Sequence, residues 1–119
     1  MSIYESGEDY LEAILMVSER KEDVHAIDIV NELGFSKPSV SIALKKLKEQ
    51  GYITIDDNNH LHLTEEGFRI AKNIYERHKI LTSILTFIGV SKEVAEDDAC
   101  KIEHDLSDES WEKVKKYYN

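Results

Sequence analysis

Three side chains that can bind a metal ion occur close together near the end of the chain. Cys100, Glu103 and His104 stand at positions i, i+3 and i+4 of one segment. In an α-helix this spacing places a thiol, a carboxylate and an imidazole on the same face. All three groups are ligands for divalent transition metals. The segment therefore predicts a metal site on a helix face, with a solvated polar stripe as the alternative in a chain that is 33% charged.

Two other segments carry further metal-ligand side chains. Asp9 and Glu12 are three residues apart in an apparent first helix, and His78 lies in a long helix in the middle of the chain. Taken singly, such carboxylates are typical of a solvated surface, and an isolated histidine is typical of a surface or a satisfied interior position. Together with the thiol, carboxylate and imidazole of the later segment, they favour one shared site.

Length, charge and cysteine content limit the class of protein. The chain has 119 residues and a formal net charge of −9, which indicates one compact domain or two small subdomains. Its single cysteine excludes an internal disulfide. No basic, apolar leader opens the sequence, and no apolar stretch approaches the roughly 20 residues of a membrane helix. We therefore expect a cytoplasmic protein without a membrane partner.

The first half has the element order of a winged helix-turn-helix. Apolar spacing predicts a helix ending near residue 20, a short helix over 27–33, and a third helix from Pro38 to about residue 50. Two alternating segments follow, 52–56 and 60–64, separated by an Asp-Asn-Asn turn. A helix, a glycine-containing turn, a second helix and then a hairpin predict a DNA-binding module with a wing.

The third helix is the expected DNA-reading element. Although an acidic chain is not typical of a nucleic-acid binder, residues 35–48 contain four lysines and no acid. Hydroxyl groups can contact phosphates or base edges, and lysines neutralise phosphate charge. This stretch has no arginine, so specificity is expected to come from weaker contacts and DNA shape. An ordinary surface helix is the alternative. The predicted DNA-binding residues are Ser36, Lys37, Pro38, Ser39, Ser41, Ile42, Lys45 and Lys46.

The second half is predicted to be helical throughout. A long helix reaches from about residue 64 to 87, a fifth covers about 91–104, and a sixth runs from 107 to 118. The sequence thus predicts a mainly α fold with two domains, 1–72 and 73–119, whose boundary lies inside the long helix.

A likeness to known proteins covers nearly all of the chain and is carried by five segments, residues 8–14, 38–41, 63–67, 77–78 and 100–107. On these segments the chain resembles the DtxR/MntR family of metal-dependent transcriptional repressors. The family fold implies a winged helix-turn-helix domain over 1–72, followed by a helical metal-binding and dimerisation domain over 73–119. The resemblance implies the short, manganese-type architecture, for which the SH3-like domain of the longer iron-type members is not expected.

The resemblance also implies a ligand set. By position, Asp9, Glu12, His78, Cys100, Glu103 and His104 are expected to bind metal, and Glu96 falls where iron-type members have a second-site histidine. Manganese-type members have a carboxylate at the position of Cys100, and iron-type members have a methionine at the position of Asp9. The oxygens of Asp9 and Glu12 favour Mn²⁺, whereas the softer sulfur favours Fe²⁺, Co²⁺ or Zn²⁺. Mn²⁺ and Fe²⁺ are both expected physiological candidates.

The resulting hypothesis is a homodimeric repressor that senses Mn²⁺ or Fe²⁺, binds a double-stranded DNA operator and controls metal-homeostasis genes. It is not expected to be an enzyme or to bind a small organic substrate. A winged-helix regulator that does not respond to metal remains an alternative. A small metallohydrolase ranks well below both, because the sequence has no nucleophile motif and no glycine-rich phosphate loop.

Overall fold

The computed structural model describes residues 5–118, and side chains from residue 7 onward. The chain divides into two compact units, Met1–Lys72 (the winged half) and Asn73–Asn119 (the helical half). The predicted fold class is confirmed: six helices and one two-stranded antiparallel hairpin form the described part of the chain. In chain order these are α1 Glu5–Ser18, α2 Ala26–Leu33, α3 Lys37–Glu49, β1 Ile53–Ile55, β2 Leu61–Leu63, α4 Glu65–Phe87, α5 Lys92–Asp105 and α6 Asp108–Tyr118.

Local signals in the sequence set the ends of α2 and α3. At the start of α2, the His25 backbone N–H donates to Asp28 Oδ2 at 2.8 Å, and this hydrogen bond is the main cause that lowers the pKa of Asp28. Gly34 ends the helix in the left-handed conformation, with φ of 74°. The Ser36 side chain caps α3 by accepting from the Ser39 backbone N–H at 3.2 Å. The first helix ends at Ser18, slightly earlier than the sequence predicts.

The winged half closes around an apolar core. Leu11 and Ile14 of α1 are almost fully buried, as are Ile29 of α2, Val40 of α3 and Ile53 of β1. These positions follow the 3.6-residue period of helices and the two-residue period of strands that the sequence shows. Burying each of these side chains contributes about 1.5–3 kcal/mol to the stability of the fold, relative to leaving it exposed. The core thus fixes α3 so that its opposite face is exposed.

The wing is a short hairpin tied to its surroundings by backbone hydrogen bonds. Thr54 pairs with His62 at its centre. In the turn, Asp56 Oδ1 accepts from the backbone N–H groups of Asn58 and His60 at 2.9 and 3.0 Å, which is the local bonding that favours aspartate at this position. The Leu61 N–H also donates to the Val24 carbonyl at 2.8 Å, so β2 is held on its outer side by the segment before α2.

The helical half buries charge as well as apolar surface. Ala95, Ala99 and Trp111 are almost completely buried, and so are the charged residues Arg77 and Glu103. Small alanines on one face of α5 permit close packing of helices. Among residues 5–118, no helix is long and apolar enough to cross a membrane.

Candidate metal centre and nucleic-acid interface

The structure brings Cys100, Glu103 and His104 together on one face of α5. One ligand atom from each of these residues lies within 4.8 Å of the others. The three positions are separated by three and four residues, so the helical repeat alone places them side by side. The Cys100 thiol is exposed, whereas the side chain of His104 is 2% exposed and that of Glu103 is fully buried. The face therefore presents sulfur at the surface and oxygen and nitrogen below it.

Glu103 also joins this face to α4. Its Oε2 accepts a hydrogen bond from His78 Nδ1 at 2.9 Å, and its Oε1 lies 3.4 Å from His104 Nε2. The carboxylate is thus enclosed by two imidazoles, one from each helix. Such a pairing fixes the orientation of both rings, as carboxylate–histidine pairs do at metal centres.

The last turn of α5 is held in place by a buried guanidinium. Arg77, one residue before His78, donates to the carbonyl oxygens of Glu103 at 3.2 Å and Leu106 at 2.7 Å. It also donates to Asp108 Oδ1 at 2.8 Å, and its Cζ lies 5.6 Å from the ring centroid of Trp111. Carbonyls at a helix C-terminus lack intrahelical donors, and a cation is favourable there. Arg77 therefore positions the turn that carries Glu103.

The residues present fit a divalent transition metal. Glu103 Oε1 is buried and accepts no hydrogen bond from the described residues. A buried carboxylate oxygen without a donor is costly unless a cation or proton compensates it. Thiolate, carboxylate and imidazole together form a donor set of intermediate softness, which suits Fe²⁺, Co²⁺ or Zn²⁺ and admits Mn²⁺.

The other predicted ligands lie on α1 and at another position of α5. Asp9 and Glu12 lie one turn apart on α1 in the winged half, where Asp9 is half-buried and Glu12 is 7% exposed. Glu96 is exposed on α5 and belongs to no group of three such ligands among residues 5–118. Their participation in metal binding stays a prediction.

The predicted DNA-binding residues all lie on the exposed side of α3 or at its N-cap. Val40, Leu44 and Leu47 form the buried stripe of this helix. The Ser36 and Ser39 hydroxyls are bonded to each other at 2.9 Å in the cap. Every residue of the predicted set is exposed: Ser36, Lys37, Pro38, Ser39, Ser41, Ile42, Lys45 and Lys46.

A groove between α2, α3 and the wing adds residues that the sequence reading missed. Lys48 lines it beside Lys45, and His25 and Asn59 contribute from the start of α2 and from the wing turn. Lys48 could have been found from its spacing, because Ser41, Lys45 and Lys48 follow one helix face. His25 and Asn59 carry no such signal, since only the folded chain brings them near α3.

The wing histidines are paired within the wing. His62 Nε2 lies 3.0 Å from Asp56 Oδ2, and His60 Nδ1 lies 3.4 Å from the same oxygen. The hydrogen bond from His62, followed by the backbone N–H of His60, lowers the pKa of Asp56 to about 2. His60 also contacts the His25 ring edge to face, with centroids 4.7 Å apart. Both histidines thus help to shape the wing.

The fold and the clustered ligands define a winged helix-turn-helix protein with a candidate metal centre in its helical half, and comparison with known proteins agrees. Residues 2–61 match the N-terminal DNA binding domain of the iron dependent repressors. Residues 64–119 match the metal binding and dimerisation domain of the same proteins. The chain therefore belongs to the iron-dependent repressor (DtxR/MntR) family of metal-dependent transcriptional repressors.

Individual relatives support the same family. An uncharacterised HTH-type transcriptional regulator of Methanocaldococcus jannaschii is 35% identical over 113 residues, which cover 93% of this chain and 90% of that protein. The transcriptional regulator MntR of Bacillus subtilis strain 168 is 35% identical over 109 residues, covering 92% and 77%.

Solved structures agree in fold. The manganese regulator SloR superposes with a TM-score of 0.81 at 27% identity, over 98% of this chain and 54% of that one. The metal-dependent transcriptional regulator MtsR gives 0.84 at 26% identity, over 93% and 52%. This chain therefore spans about half of the length of these solved regulators.

Proposed function

We propose that this chain is a metal-dependent DNA-binding repressor that acts in the cytoplasm as a homodimer on a double-stranded DNA operator. The physiological metal in this proposal is Mn²⁺ or Fe²⁺, and the regulated genes are those of metal homeostasis. The carrying observation is the fully buried Glu103, which lies between His78 and His104 and on the same face as Cys100. Folding alone gives no reason to bury a carboxylate beside a thiol and two imidazoles.

The proposed ligand set takes residues from both halves of the chain. His78, Cys100, Glu103 and His104 of the helical half would bind the ion together with Asp9 and Glu12 of α1, a choice that rests on family membership. When bound, the cation supplies the positive charge that these carboxylates lack and gives the two halves a shared ligand. Glu96 is assigned to a second, weaker site.

The proposed DNA interface belongs to α3. Its exposed serines and lysines would enter the major groove, and Lys48, His25 and Asn59 along the groove beside the wing would contact phosphates. A dimer that reads successive major grooves needs its two recognition helices about 34 Å apart. A metal ion activates DNA binding only if it binds the DNA-competent state more tightly. A tenfold activation requires about 1.4 kcal/mol of such preference.

The test is a comparison of DNA affinity with and without metal. The chain would be purified anaerobically, treated with a chelator, and titrated onto a labelled duplex from the region upstream of its own gene, followed by fluorescence anisotropy. With Mn²⁺ or Fe²⁺ we expect at least about tenfold tighter binding than without metal. Equal affinity in both conditions, with no metal bound by elemental analysis, would establish a metal-independent regulator instead.

Two matched substitutions on α5 sharpen the test. Glu103→Gln keeps the shape of the buried side chain but removes its charge, so we expect metal affinity to fall by about 100-fold or more while the metal-free fold is retained. Glu93→Gln makes the same change at an exposed position of the first turn and should leave metal affinity unchanged. Similar losses in both variants would show that the charge of α5 as a whole matters, and not the Glu103 site.

A further inference from the structure

One large apolar side chain lies on the most exposed line of α3. Ile42 is 62% exposed, although it sits between the buried residues Val40 and Leu44. With about 100° of rotation per residue, Ile42 lies almost opposite the stripe formed by Val40, Leu44 and Leu47. Its side chain therefore points straight away from the core, along the direction in which this helix would enter a DNA groove.

The polar groups near Ile42, other than the lysines, leave little capacity for reading base edges. The Ser36 and Ser39 hydroxyls are bonded to each other, and Ser36 Oγ also accepts the Ser39 backbone N–H. Ser41 lines the groove on the wing side together with Lys45 and Lys48, where phosphates are the expected partners. From Lys37 to Glu49 the sequence contains no arginine, asparagine or glutamine. Asparagine and glutamine read adenine and arginine reads guanine through two hydrogen bonds, so lysines at guanine are the remaining polar base readers of this helix.

An aliphatic side chain recognises one feature of the major groove. The C5-methyl group of thymine is the apolar group exposed there, and contact with it distinguishes a T·A pair from a C·G pair. We propose that Ile42 packs on a thymine methyl group and that this contact is a main determinant of operator sequence. This inference rests on the proposed DNA-binding function and extends it to the identity of the base.

The experiment removes the methyl group and nothing else. Duplexes that bind the full chain are first selected from a randomised library in two parallel anaerobic selections, one with Mn²⁺ and one with Fe²⁺. Each thymine of the selected duplex is then replaced in turn by deoxyuridine, and affinity is measured by fluorescence anisotropy. We expect at least one thymine whose replacement weakens binding about fourfold, the ratio that corresponds to burial of one methyl group. Ile42→Ala should bind the thymine duplex more weakly than the wild type does. Its affinity should not fall further when that thymine is replaced by deoxyuridine.

A second variant separates base reading from general DNA affinity. Lys46→Ala, on the same exposed side of α3, should weaken binding to both duplexes equally and keep the fourfold methyl effect. Ile42 is exposed, so its variant should melt at the temperature of the wild type, which is checked by circular dichroism. If Ile42→Ala keeps the full methyl effect, or if no thymine shows one, the inference is overturned. If no duplex is enriched at all, the proposed DNA-binding function falls, and the inference falls with it.

Discussion

The two halves of the molecule have different interiors. In the winged half, apolar residues such as Leu11, Ile29 and Val40 form the core, and Glu12 is the one buried charged residue among its described residues. The shorter helical half buries two charges, Arg77 and Glu103. An apolar interior is explained by folding alone, because its burial stabilises the chain. Buried charges cost stability unless they are compensated. Hydrogen bonds compensate Arg77, whereas Glu103 Oε1 accepts none from the described residues, and this marks the candidate metal centre.

The largest effect should come from the buried cation of the helical half. Arg77→Met removes the donors for the Glu103 and Leu106 carbonyls, and we expect the free energy of unfolding to fall by about 3 kcal/mol. Lys79→Met is the matched control, because Lys79 is exposed on the same helix and its Nζ lies 4.3 Å from the centroid of the Tyr75 ring. Its loss should cost about 0.5–1 kcal/mol. Urea unfolding measures both changes, and equal losses would mean that Arg77 has no special structural role.

A loss of stability of intermediate size is expected in the winged half, where a close backbone contact leaves no space for a side chain. A Cβ atom on Gly67, in the first turn of α4, would lie 2.0 Å from the Tyr52 carbonyl oxygen, so Gly67→Ala must displace the backbone that leads into the wing. We expect a loss of about 2 kcal/mol in unfolding free energy.

The control for this change is Gly34→Ala. Gly34 has open space around its Cβ position and a φ of 74°, so only backbone strain of about 1 kcal/mol is expected. Thermal melting of both variants gives the comparison. If Gly67→Ala is the milder of the two, the close approach to Tyr52 is not a constraint on the fold.

The smallest effect concerns acid titration of the wing. The pKa of Asp56 is lowered to about 2, so its ionised form contributes stability that is present above its ordinary pKa, near 4. That contribution is lost as the pH falls from about 4 through 2. His62→Ala removes the largest cause, and we expect the Asp56 midpoint to rise while the backbone donors of His60 and Asn58 keep it below the ordinary value. Carboxyl NMR titration measures the midpoint, and an unchanged value would show that His62 has no part in lowering it.

Most of the fold follows from local patterns in the sequence. Capping by Ser36, the glycine stop at Gly34 and the alternation of the wing strands depend on residues within one or two turns, and each was predictable. The grouping of Cys100, Glu103 and His104 was predictable for the same reason, since helical spacing alone creates it.

The features that could not be predicted from the sequence depend mainly on contacts that form only when the chain folds. The sequence shows Arg77 as one cation among several, and only the packing of α4 against the end of α5 makes it a helix cap. The groove residues His25 and Asn59 are 34 positions apart and are brought beside α3 by tertiary structure. Asp56 gains both histidine partners only once the hairpin closes, although they follow it by four and six positions.

The exposed sulfur of Cys100 makes the candidate centre sensitive to oxidation. Peroxide converts an accessible thiolate to sulfenic acid and then to irreversible higher oxides, whereas the carboxylates and imidazoles beside it survive. A preparation stored in air would therefore lose the Cys100 thiol and keep the neighbouring carboxylates and imidazoles. If the thiol binds metal as proposed, an oxidised sample should favour Mn²⁺ more strongly than a fresh anaerobic one.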